Sequence, residues 1–140
     1  MITFERLDLP DGGVGCMTPS LVKEAWEDTP VIQQAFASPA AFWSFSEDVA
    51  LRTASTQYSF FDNGVPIGGI MLVEAVDPLV GRVLTPLHIF VRKAYRGRSD
   101  MARMILRSAL AEASARRLAW LSMPSGAKGT VHSTRYIKVK

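Results

Sequence analysis

The run from His88 to Ala102 concentrates the residues of this chain that can do chemistry. It holds one imidazole, four cations (Arg92, Lys93, Arg96 and Arg98) and one carboxylate, Asp100. Apolar Ile89, Phe90 and Val91 precede a Tyr95-Arg96-Gly97 turn, and an amphipathic pattern begins at Ser99. A strand leading through a basic turn into a helix exposes unpaired backbone N–H groups and the positive end of the helix dipole. Such a terminus seats phosphate, and flanking arginines strengthen it. Gly97 lets the backbone come close to a diphosphate. The same residues also make an ordinary turn with solvated arginines, and spacing alone leaves both readings open. His88 has a reference pKa near 6.5, suited to moving a proton at neutral pH. Cys16 is the sole cysteine and lies in a glycine-rich loop without a base partner. It is therefore not expected to act as a nucleophile, and neither an internal disulfide nor a cysteine-built zinc site can form. No metal site is expected.

The elements that must position these residues follow from pattern. Alternation over Ile2–Leu7 predicts a first strand. Pro19-Ser20 opens a helix through Trp26, with Pro30 limiting its extension, and Ser38-Pro39 opens another over residues 39–50. Its Phe42, Trp43 and Phe45 are expected to pack on the core. Gln57–Phe61 and Ile67–Val73 read as strands joined by a hairpin at Asn63-Gly64, residues that tolerate positive φ. Gly68-Gly69 inside the return strand signals a bulge or a close backbone approach. Leu84–Val91 is a further strand, and Pro86 within it marks an edge or a distortion. Ser99 to Arg116 reads as a helix capped by Ser99 or Asp100. Its apolar stripe is Ala102, Leu106, Ala109 and Ala113, with Met101, Ile105 and Leu110 alongside and Arg103, Arg107, Glu112 and Arg116 outside it. Leu118–Ser122 completes a βαβ unit, and one last strand runs within residues 130–140.

With 140 residues, 48% of them apolar and 21% charged, the chain is expected to form a single domain over residues 1–140. No apolar stretch approaches the roughly 18–20 residues that cross a membrane, so no membrane partner is expected. Residues 1–6 lack the pattern of a secretory signal, and a cytoplasmic setting is expected. The net charge of +3 hides an asymmetry: residues 1–91 carry four Lys/Arg against eleven Asp/Glu, whereas residues 92–117 carry eight against two. So basic a half-chain calls for an anionic ligand or surface. No interleaved aromatic platform or DNA-binding motif supports a nucleic-acid partner.

Val91-x-x-x-Tyr95-Arg96-Gly97 followed by an amphipathic helix resembles the pyrophosphate-binding motif of the GNAT superfamily of N-acetyltransferases. The order of elements over residues 2–123 is similar as well. The resemblance implies an α/β fold: a mixed, mostly antiparallel sheet with a splayed parallel pair and flanking helices. It implies acetyl-CoA as cosubstrate, with the pantetheine arm against the backbone near Ile89 and Val91. The diphosphate would lie on the turn formed by Arg96, Gly97, Arg98, Ser99, Met101 and Ala102. The chain departs from the motif where Ser99, Asp100 and Met101 replace the expected glycines, and aligning Ala102 with the last small residue needs one extra residue. Asp100 also brings a carboxylate to the phosphate seat.

Acyl transfer to an amine needs a base for the amine proton and a donor for the departing thiolate. His88 is the first candidate base and Glu74 the second. By resemblance, Tyr136 is the candidate thiolate donor, with His132 a nearby surface residue. The implied activity is acetyl transfer to the amine of a small molecule or a protein. A catalytically inactive GNAT-like interaction protein is the alternative. Only 14 residues follow Gly126, where the family adds a helix and two strands. That is expected of a minimal member, of a site completed by a second subunit, or of a fold kept for binding. Short relatives of this kind occur in phage genomes, which leaves open a homo-oligomer or a viral assembly, in host cytoplasm or virion.

Overall fold

A computed structural model describes residues 1–128 and 131–139. In chain order it contains β1 (Ile2–Leu9), α1 (Pro19–Asp28), α2 (Pro30–Ala35), α3 (Pro39–Leu51), β2 (Ser55–Asp62), β3 (Val65–Asp77) and β4 (Gly81–Val91). A 3-10 turn (Lys93–Tyr95), α4 (Ser99–Ala115), β5 (Trp120–Lys128) and β6 (Val131–Lys138) follow. The six strands form one sheet in the order β1-β2-β3-β4-β5-β6. All neighbours are antiparallel except β4 and β5, which run parallel. The architecture is thus α/β, with a mixed sheet and flanking helices.

Local chemistry sets the helix starts. Proline occupies the first turn of α1, α2 and α3, where its missing N–H costs nothing. The Thr18 and Ser38 hydroxyls accept from the N–H groups of Leu21 and Ala41, at 3.2 and 3.1 Å. Pro30 does more than limit α1, because it also opens a second short helix. Asn63 and Gly64 take φ of 49° and 81° and close a two-residue hairpin between Asp62 and Val65.

Side chains of β3 alternate between two cores. Ile70 and Leu72 face α4 with Phe60, Leu84 and Leu121, while Met71 faces α1 and α3 with Leu21, Val22, Phe42 and Phe90. Phe42 is buried and Trp43 packs at the margin, but Phe45 is half exposed, contrary to the packing expected of it. The buried stripe of α4 is Met101, Ile105, Ser108, Ala109, Glu112 and Ala113. Ala102 therefore faces solvent, and Glu112, expected outside the stripe, faces the core. Neither Ser99 nor Asp100 is the N-cap. Arg98 holds that position, without a side-chain cap bond.

Two irregularities shape the sheet near β4. The register shifts from Met71↔His88 to Leu72↔Pro86, so Leu87 is an extra residue and Pro86 lies at a bulge. Beyond that bulge, β4 and β5 part, with pairing only at Val83↔Trp120 and Leu84↔Leu121. The second irregularity is a close approach at Gly69, where a Cβ would lie 2.6 Å from Cys16 Cβ, 2.8 Å from its Sγ and 3.1 Å from the Tyr58 carbonyl oxygen. Gly69→Ala should therefore lower stability by about 1–3 kcal/mol, the usual cost of overpacking a close-packed core. A urea-denaturation midpoint measures it, and an unchanged midpoint would show that the loop around Cys16 yields.

Candidate functional site

The parting of β4 and β5 opens a groove of about 450 Å³. Its β4 wall runs from Thr85 to Phe90. Its other walls are Ser122, Met123 and Pro124 of β5, Ser133 and Thr134 of β6, Ala25, Ile32 and Phe42 from the helices, and Thr29 between α1 and α2. It continues past Ile89, Phe90 and Val91 into a space of about 330 Å³ bounded by Asp28 and Arg96. Arg92 N–H donates to the Ile67 carbonyl at 2.8 Å. Since alternate residues of an antiparallel strand bond to opposite sides, the N–H and C=O of Ile89 and Val91 point away from β3, toward the gap. Of these outward groups, the Val91 carbonyl already accepts from Arg96 Nε at 2.9 Å.

His88 lines this groove. Its ring stacks on Phe90, with centroids 5.1 Å apart, and meets the edge of Phe42 at 6.4 Å. Burial pushes its pKa below the usual histidine value, so the ring is neutral at pH 7. The other two expected catalytic residues are not brought to it. Glu74 faces a separate cavity of about 690 Å³ with Arg6, Asp8, Glu112 and Arg116. It accepts from Arg82 at 3.0 Å and Arg116 at 3.2 Å, bonds that lower its pKa and weaken it as a base. Tyr136 donates to Asp77 at 2.8 Å, which raises its pKa and holds its proton away from the groove. The side chain of His132 lies outside the described residues. The Cys16 thiol is buried, and burial pushes its pKa up to about 12, so it stays protonated. Among the described residues, no group of three His, Cys, Asp or Glu side chains could hold a metal ion.

The basic turn is folded back on the protein's own carboxylates. Arg92 donates to Glu24 at 2.6 Å and to Ser20 at 2.8 Å, and Lys93 N–H donates to the other Glu24 oxygen at 2.8 Å. Burial opposes ionisation of Glu24, but these bonds outweigh it and lower its pKa. Arg96 donates to Asp28 at 2.5 Å and to the Val91 carbonyl at 2.9 Å, while Lys93 Nζ lies 3.8 Å from Asp28. Arg98 makes two bonds to Asp100, at 2.6 and 3.1 Å, and lies 4.8 Å over the Tyr95 ring. Tyr95 in turn donates to Asp62 at 2.6 Å. Asp100 Oδ1 also accepts from Met101 N–H at 2.8 Å.

Of the residues expected at a diphosphate, Gly97 takes a φ of 78° with open space around it, and Ser99 is exposed. The Met101 side chain is buried in the core, which leaves only its N–H for a ligand, and Asp100 holds that group. Ala102 N–H already bonds to the Arg98 carbonyl at 3.1 Å. The groove therefore fits a pantetheine arm, whereas the turn, with Asp100 in the anion seat, does not fit a diphosphate. Sequence reasoning missed Ser122, Ser133 and Thr134 as groove residues. With only two β4–β5 register positions, no alternation rule could show which part of β5 faces the gap.

No family model matches the chain, and no curated protein sequence matches it. Among solved structures, it is similar to an aminoglycoside N-acetyltransferase in complex with CoA, at 15% identity and a TM-score of 0.60, over 93% of this chain and 80% of that one. It is also similar to a GCN5-related N-acetyltransferase from Ralstonia eutropha, at 18% identity and a TM-score of 0.57, over 88% and 82%. An IAA acetyltransferase from Bacillus cereus matches at 17% identity and a TM-score of 0.53, over 90% and 67%. These likenesses show a shared fold.

Proposed function

On the GNAT acetyltransferase fold that this chain adopts, we propose that it moves an acetyl group from a CoA-type thioester to the amine of a small molecule or a protein. The observation that carries this reading is the groove between the parted strands with His88 in its wall. An extended thioester arm laid along β4 meets the outward N–H groups of Ile89 and Val91. The attacking amine must be unprotonated, and neutral His88 takes the proton it sheds as the new C–N bond forms and the C–S bond breaks. Among the described groove residues His88 carries the only titratable side chain, so its imidazolium returns that proton to the departing thiolate. Tyr136, bonded to Asp77, does not take that role in this arrangement.

The test is thiol release. Incubated with acetyl-CoA or acetyl-pantetheine and a panel of small and peptide amines, the protein should free thiol in an amine-dependent way. A thiol-reactive dye follows the release, and mass spectrometry follows the acylated amine. No amine-dependent release from either donor would reject the reading. It would favour the alternative, a GNAT-like interaction protein, which the ion-paired turn also supports.

A further inference from the structure

Resting on the reading of the groove as a thioester site, we infer that Asp100 closes the turn to diphosphate, so that the donor is recognised through its pantetheine arm alone. A diphosphate at a helix N-terminus needs free backbone N–H groups and free guanidinium edges. Here the Asp100 carboxylate takes Met101 N–H through Oδ1 and both Arg98 bonds through its two oxygens. It is an internal anion in the seat an external one would use.

The remaining cations of the turn are engaged in the same way. Arg92 and Arg96 are held by Glu24 and Asp28 of α1, and Lys93 lies between those two acids. Four cations of the turn thus face three carboxylates, and Asp62 stands behind Tyr95 as a fourth. The Met1 ammonium offsets Asp62 and Arg103 adds a cation at the Ser99 carbonyl, but at the seat itself an arriving diphosphate meets the Asp100 carboxylate in the place of a free donor. The exposed Arg98–Asp100 pair is weak by itself. Exclusion rests on like charge and on occupied donors more than on the strength of any bond. The groove beside His88 is lined by no charged side chain among its described residues, and of this arrangement only the Arg96–Asp28 pair borders its extension past Ile89 and Val91. The arm and the diphosphate therefore have separate fates on this surface.

Two binding experiments on the full chain decide the matter. Calorimetry, or ligand-observed NMR for weaker complexes, compares acetyl-CoA with acetyl-pantetheine, which has the same arm and thioester but no diphosphate. The wild type should bind the two within about threefold of each other, with a ratio unmoved by salt. Asp100→Gly and the near-isosteric Asp100→Asn should each tighten acetyl-CoA at least about tenfold and leave acetyl-pantetheine unchanged. Asp100 is half exposed, so both variants should fold, which circular dichroism verifies. Acetyl-CoA affinity that does not rise in either variant would overturn the inference, as would a wild type that prefers acetyl-CoA by more than about thirtyfold. Failure to bind acetyl-pantetheine in any variant would instead count against the groove as a thioester site. If acetyl-CoA binding still rose in Asp100→Gly, the closure of the turn would stand.

Discussion

Glu112→Ala is expected to lower stability at pH 7 by about 3 kcal/mol, the largest loss of any single side chain outside the apolar cores. The Glu112 carboxylate is buried on α4 and accepts four hydrogen bonds: from Arg6 at 2.8 and 3.2 Å, from Tyr58 at 2.9 Å and from Arg116 at 2.9 Å. Arg116 extends the network to Glu74 on β3 and to Thr56 on β2, and Thr56 bonds to Asp8 on β1. Glu112 thus ties α4 to β1 and β2, and Arg116 carries the network on to β3. Removing it leaves the buried Tyr58 hydroxyl without its acceptor and Arg6 without its counter-charge, while Arg116 keeps Glu74. The loss stays below that of a fully buried pair because Arg6 is about half exposed. The pH dependence identifies the charge as the cause. Bonding from Arg6 above all, reinforced by Arg116 and Tyr58, lowers the Glu112 pKa from 4.5 to about 2. The folded state therefore binds this proton less readily than the unfolded chain does, and the stabilisation is complete above pH 4.5. It fades as pH falls from 4.5 toward 2. Urea denaturation at pH 7 and pH 3 should show the gap between wild type and Glu112→Ala shrinking in acid. A gap of equal size at both values would assign the loss to packing.

What could be read in the sequence was local, and what was missed was long-range. The Asn63-Gly64 hairpin and the proline-opened helices follow from φ preferences and caps that a few neighbouring residues decide. Pro86 marked the distortion of β4, although only the structure shows that Leu87 is the extra residue there. The stripe of α4 came out rotated, because Ala and Ser weigh little in a hydrophobic pattern and Glu112 counts against burial unless its partners are known. Those partners lie on β1 and β2, 106 and 54 residues away. The basic turn follows the same rule. Its arginines looked free because the acids that hold Arg92 and Arg96 are on α1, 68 residues upstream. The one intrusion that could be read was Asp100, two residues from Arg98. The placement of Glu74 and Tyr136 failed for a related reason: strand position was inferred, but Arg82, Arg116 and Asp77 decide where those groups point.

His88→Ala should reduce kcat for amine acetylation by about 10²- to 10⁴-fold, the usual contribution of a general base. The effect on KM should be small, because the ring stacks on Phe90 and Phe42 without a bond to the backbone that would carry the thioester arm. The pH profile separates proton transfer from packing. Burial lowers the His88 pKa, so the ring is unprotonated through neutrality and gains a proton only below the usual histidine range. With an arylamine acceptor, which stays unprotonated across the assayed range, the wild-type rate should hold down to weakly acidic pH and then fall, since a protonated ring cannot accept from the amine. In His88→Ala that acidic limb should vanish, and small imidazoles or amine buffers should restore part of the rate by entering the vacated space beside Phe90. His88→Phe keeps the aromatic contact without the nitrogen, and it should lose as much rate as the alanine variant while remaining as stable as the wild type. If His88→Phe retained activity, or if the acidic limb persisted in either variant, the proton acceptor would lie elsewhere. The groove would then act on the thioester by position alone.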